Sequence, residues 1–149
     1  MAQSPKPDAF RILTWIGIIE QLTRSAADRS LKAVNLTYPE FSLLIHFSHG
    51  HPPEKTVTGI AADMQMLQPA VTKIVQKLVT KGLLKASASA TDGRSKVLTL
   101  TAKGGQALQR ALGVIAPALG PAFDGWSEGD YARLFGDLDR LKVKLDGMR

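Results

Sequence analysis

Lys73, Lys77 and Lys81 recur every fourth residue, a spacing that puts all three on one face of a helix. Gln68, Thr72 and Gln76 recur at the same interval and form a neutral polar row beside them. Ammonium groups suit phosphate oxygens or guanine, whereas amides and hydroxyls hydrogen-bond base edges. A second set of charges follows at an Asp92-Gly93 turn, with Arg94 and Lys96 just beyond it. These residue types fit the reading of double-stranded DNA. Lys73, Lys77 and Lys96 suit phosphates, Gln68, Thr72 and Gln76 suit bases, and Arg94 suits a narrow A·T-rich minor groove. Asp92 stands two residues before Arg94, where pairing would hold the guanidinium in direction. As an exposed turn pair it contributes only about 0–1 kcal/mol. The competing reading of a lysine row is an ordinary solvated face. The charged hairpin directly after it favours nucleic acid.

The other chemistry-bearing residues point nowhere as definite. His46, His49 and His51 form the only histidine cluster. Imidazoles can share a zinc, but histidine is also favourable at a helix end, and no acid lies nearby in sequence. The expectation is no metal, with metal sensing as the alternative. There is no cysteine, which excludes disulfides, thiolate metal sites and sensing by thiol oxidation. No Ser-His-Asp order, phosphate loop or paired carboxylates stand out, so an enzyme is not expected, nor is a cofactor.

Charge supports the first reading. The 149-residue chain has a formal charge of +6. Residues 51–110 hold nine Lys and Arg against three acids, so that segment carries the whole excess. A basic middle between near-neutral flanks is the footprint of a polyanion-binding module on another scaffold. The polar, proline-containing start resembles no signal peptide, and no apolar run approaches a membrane span. A cytoplasmic protein is expected.

The elements that must hold these residues can be read from periodicity. A short helix pattern with Ile60, Ala61 and Met64 opens with Thr56 or Thr58 as cap. A break at 65–68 follows. A second helix begins near Gln68, with Pro69 set for a first turn and Val71, Ile74, Val75 and Leu78 on its apolar face. Lys81-Gly82 ends it. Strands over Leu83–Ser87 and Lys96–Leu100 then form a hairpin. Helix, turn, helix and hairpin make a winged helix-turn-helix, whose second helix normally lies in the major groove.

The flanks read as helices. The first spans about Asp8 to Ala33 and is apolar on more than one side, so it needs more than one layer to cover it. Thr37-Tyr38-Pro39-Glu40 starts another helix that runs to about Ser48. The loop from Gly50 to Lys55 is long. Thr101 to about Ala116 is helical, with Pro117, Gly120 and Pro121 breaking or kinking it. Ser127 caps a last helix with an apolar stripe from Tyr131 to Leu145.

Leu83-Leu84, Asp92-Gly93-Arg94 and Leu98-Thr99-Leu100-Thr101-Ala102-Lys103-Gly104 resemble the wing signature of MarR-family transcriptional regulators. Ile60-Ala61 and Val71-Thr72-Lys73 match that family's two motif helices, gap-free from Thr56 to Gly104. Two departures stand out. Leu67 replaces the usual capping Ser or Thr, and Ala86 stands where the family often has Arg. The resemblance implies a mainly α fold with a small β-hairpin wing. It implies a single domain over 1–149, with dimerisation helices at 8–35 and 101–149 around a DNA-binding lobe at 36–100. It further implies a homodimer on pseudo-palindromic DNA, a repressor role, and release by a small aromatic or phenolic effector. The alternative is a winged-helix dimer that binds protein or senses metal.

Overall fold

The computed structural model describes residues 8–48, 54–88 and 96–149. Asp92 and Arg94 at the wing tip, and His49 and His51, lie outside the described residues. Among the described residues six α-helices and three strands follow in order. They are α1 (Ala9–Leu31), α2 (Tyr38–Ile45), β1 (Glu54–Thr56), α3 (Val57–Met64), α4 (Gln68–Thr80), β2 (Leu84–Ala88), β3 (Lys96–Leu100), α5 (Ala102–Leu119) and α6 (Glu128–Asp146). Single 3-10 turns follow α1, at Lys32–Val34, and α5, at Gly120–Phe123.

Side-chain caps start most of these helices. Asp8, Thr37, Thr56, Thr101 and Ser127 each accept a hydrogen bond from a backbone N–H in the first turn, satisfying a donor with no intrahelical partner. Thr37 with Glu40 and Ser127 with Asp130 are full capping boxes. The Ser127 N–H and hydroxyl hold the Asp130 carboxyl below its ordinary range, with help from Arg133. α4 has no side-chain cap, as its leucine at position 67 predicts.

Three chain reversals share one geometry. After α1, α3 and α4 the chain turns through left-handed residues Asn35, Gln65 and Gly82. In each, the next N–H reaches back five residues: Leu36 to Leu31, Met66 to Ala61, and Leu83 to Leu78.

The core gathers around the winged helix-turn-helix. Leu31, Leu43, Leu44, Ile60, Val71, Leu78 and Leu98 are its largest fully buried side chains. Each stabilises the fold by roughly 1.5–3 kcal/mol. On α4 the buried set is Val71, Val75 and Leu78, and Ile74 is half-buried at the edge. Ala107, Leu108 and Ala111 of α5 close the core from the other side.

The sheet runs in the order β1-β3-β2, antiparallel throughout. The expected hairpin is present, with β2 one residue later than predicted. The sheet has a third strand, β1, within the stretch where the sequence predicts a loop and the opening of α3. Glu54–Thr56 pairs with the outer edge of β3, Lys55 opposite Leu98, and so satisfies that edge's backbone groups. Three residues are too few to show a strand period.

Two helix ends also differ from expectation. α2 stops at Ile45 and continues to Ser48 only as turns. α5 runs two residues past Pro117 instead of breaking there. Pro117 is exposed, and the carbonyl it deprives of a partner belongs to Gly113, also exposed, where water can serve.

The outer helices are unlike the rest. α6 has no buried residue, and α1 buries only Ala27 and Leu31. Phe10, Trp15, Leu22 and Phe135 are more than half exposed. An apolar groove lined by Leu13, Ile16, Leu138, Leu141 and Leu145 runs between these helices. Phe123, Trp126 and Tyr131 cluster at the α5–α6 joint with ring centroids 5.1–5.7 Å apart, Phe123 stacked on Tyr131 and edge-on to Trp126.

Candidate nucleic-acid interface

The fold turns the polar side of α4 outward. Gln68, Thr72, Lys73, Gln76 and Lys77 are all exposed, while Val71, Val75 and Leu78 hold the opposite side in the core. The two rows seen in the sequence diverge slightly around the helix. Gln68, Thr72 and Gln76 face the sheet. With Lys96 at the start of β3 they line a cleft of about 790 Å³ between α4 and the wing. Lys73 and Lys77 lie on the far side of Gln76, around a shallower depression. Base-type and phosphate-type groups are thus brought to one surface, with Gln76 on both sides of the division.

Other residues of that cleft carried no sequence signal beyond their neighbourhood. Thr56 and Thr58 at the start of α3 and Ala86 on β2 also line it. The Thr56 hydroxyl accepts from the Gly59 N–H at 3.0 Å, so it is committed to capping. Thr58, in the first turn of the helix, is exposed. Ala86 gives the cleft a small, uncharged wall.

Lys81 lines the same depression, but its ammonium turns back into the protein. Its Nζ donates to the Asn35 carbonyl at 2.7 Å and to Glu40 Oε2 at 2.8 Å, inside the protein's own α1–α2 corner. The row facing outward is therefore Lys73 and Lys77.

The wing is anchored at its base. The Thr101 hydroxyl donates toward the Gly82 and Leu83 carbonyls, 2.7 and 3.1 Å away, and accepts from the Gly104 N–H at 2.9 Å. A hydrogen can serve only one carbonyl at a time, so the two share it. Gly104 lies directly beneath. A Cβ there would sit 2.1 Å from the Leu83 carbonyl oxygen and 2.7 Å from Leu100 Cδ1. This is the physical reason for glycine three residues after that threonine.

His46 is within the described residues, and no group of three His, Asp or Glu there could hold a metal. No helix among the described residues is long and apolar enough to cross a membrane.

A helix-turn-helix backed by a three-stranded wing, with an exposed polar second helix, defines a winged helix-turn-helix protein. Residues 34–95 match the model of the MarR family. Solved structures agree across almost the whole chain. BldR of Sulfolobus solfataricus, a transcriptional regulator, is 24% identical with a TM-score of 0.81, covering 91% of this chain and 94% of its own. A MarR protein of Peptoclostridium difficile is 18% identical with a TM-score of 0.82, covering 99% and 95%. CouR of Rhodococcus jostii RHA1, solved with p-coumaroyl-CoA, is also solved as a repressor on a 23-mer DNA duplex. In that form it is 23% identical with a TM-score of 0.76, covering 91% and 92%. At these identities the structures speak for the fold.

Proposed function

We infer that this chain is a homodimeric, sequence-specific double-stranded DNA-binding transcriptional regulator of the MarR type, a repressor released by a small aromatic or phenolic effector. One observation carries the DNA reading. Gln68, Thr72 and Gln76 converge with Lys96 on one exposed cleft, beside Lys73 and Lys77. Base-edge donors and acceptors flanked by phosphate-seeking cations are what a major-groove reader presents. Asp92 and Arg94 would extend the contact into the flanking minor groove. CouR, of like fold, is solved both on a DNA duplex and with an aromatic acyl thioester, which supports the partner and the effector class. The uncovered apolar faces of α1 and α6 support the dimer. Two α4 helices would then enter successive major grooves, roughly 10 bp apart.

The test is a salt series with duplexes selected from a random pool. Thr72→Ala or Gln76→Ala is expected to cost about 1–3 kcal/mol on the selected duplex and much less on random DNA. Lys77→Ala should weaken all duplexes alike and lower the salt slope by about one. Arg94→Ala should matter most with A·T-rich flanks. If none of these variants changes binding while the protein stays folded, a protein-binding winged helix becomes the better reading.

A further inference from the structure

Lys81 stands in register with Lys73 and Lys77, yet two of its three N–H donors are bonded within the protein. Its two acceptors belong to two other elements. Asn35 is the left-handed residue that ends the turn after α1, and Glu40 lies in the first turn of α2. Lys81 itself is the C-cap of α4. One ammonium therefore joins the ends of three helices. Glu40 is the only charged residue buried among the described residues. Its Oε2 takes the Lys81 hydrogen bond and a second from the Thr37 N–H at 3.1 Å. A carboxylate so far from water needs a cation, and Lys81 supplies it. The same corner is closed by Asp28 of α1, whose carboxylate accepts from the Tyr38 N–H at 2.8 Å. α4 is thus tied at its C-terminal end to the α1–α2 corner.

We propose that Lys81 is a positioning residue, which fixes the angle at which α4 is presented by tying it to Asn35 and Glu40, and does not contact DNA. This rests on α4 being the DNA-reading helix of a dimer. Two such helices must meet half-sites a set distance apart. Releasing one end of each would then blur the spacing they accept without removing a phosphate contact.

The experiment compares wild type, Lys81→Met, Lys81→Arg and Lys77→Ala with the double variant Glu40→Gln/Lys81→Met. Each is titrated over a KCl series against three probes. These are a duplex selected by wild type from a random pool, the same duplex with its half-sites moved by one base pair, and a random duplex. Lys81→Met should lose about tenfold on the selected duplex, keep its affinity for the random one, and keep the wild-type salt slope. Its preference for the native spacing should weaken. Lys81→Arg keeps a cation with N–H donors and should restore both affinity and spacing preference. The double variant leaves no unpaired carboxylate, so it should regain thermal stability but not spacing preference. Lys77→Ala is the phosphate control, with its slope lower by about one.

A slope lowered by about one in Lys81→Met, with all three duplexes weakened alike, would make Lys81 a phosphate contact and overturn the assignment. Recovery of spacing preference along with stability in the double variant would reduce the pair to a stabilising contact and overturn it equally. A wild type that selects no duplex would remove the DNA reading itself, and the assignment with it.

Discussion

Gly104→Ala should lower the thermal midpoint by about 6–12 °C, whereas Gly105→Ala next to it should leave the midpoint unchanged or raise it. The added methyl at 104 meets the Leu83 carbonyl oxygen at 2.1 Å, and backbone cannot swing aside as a side-chain tip can. Relief requires α5 to move off the base of the wing, which strains the Thr101 hydroxyl bridge to Gly82 and Leu83. Overpacking costs about 1–3 kcal/mol, and a clash with backbone belongs at the upper end; a chain of this size loses about 2–4 °C per kcal/mol. At Gly105 the nearest atom is Leu100 Cδ2 at 4.0 Å. There alanine only gains helix propensity, worth roughly 0.8–1 kcal/mol. Calorimetry of the two variants side by side decides the matter. Equal midpoints would mean that α5 does not press on the wing.

Phe135→Asp should turn a dimer into monomers without unfolding them. In the single chain Phe135 is 73% exposed, so within a monomer the change touches almost nothing. Surface changes of that sort stay within about 0.5 kcal/mol. In a dimer that covers α6, the same carboxylate would be buried without a cation, at a cost of several kcal/mol. About 3 kcal/mol weakens association a hundredfold. Sedimentation at low micromolar concentration should therefore show twice the 16.1 kDa mass for wild type and a single mass for the variant. A wild type already monomeric at that concentration would sink the dimer reading, and with it the two-half-site operator.

The helix-turn-helix was legible because its signals are local and redundant. Val71, Val75 and Leu78 repeat at helical spacing, Pro69 suits a first turn, and Gly82 supplies the left-handed reversal. The missing cap at Leu67 was legible for the same reason. β1 was not, because a three-residue strand exists only through its partner β3. The exposed polar row of Gln68, Thr72 and Gln76 and the outward Lys73 and Lys77 followed from spacing alone. The inward turn of the Lys81 ammonium did not, since Glu40 lies 41 residues earlier and nothing local pairs them. α5 outlasts Pro117 because a proline's cost depends on whether the freed carbonyl meets water, which spacing does not reveal, and it ends at Gly120, a breaker that spacing did offer.

Thr56 is at once the last rung of the sheet, opposite Val97, and the residue whose hydroxyl starts α3. No linker lies between wing and first motif helix. At the other end of the sheet, Leu83 follows directly from the α4 reversal, and Thr101 bonds back to it. A thermal fluctuation that unzips β1 must therefore also fray α3, and one that lifts β3 must disturb both. Slow amide deuteration across β1, β3 and α3 would then follow a single opening event rather than three. In mechanical terms the lobe behaves as a stiff plate hung from α1 and α5. Under the proposed function, an effector would change the fit to DNA by tilting the plate, with the spacing between helix and wing held constant.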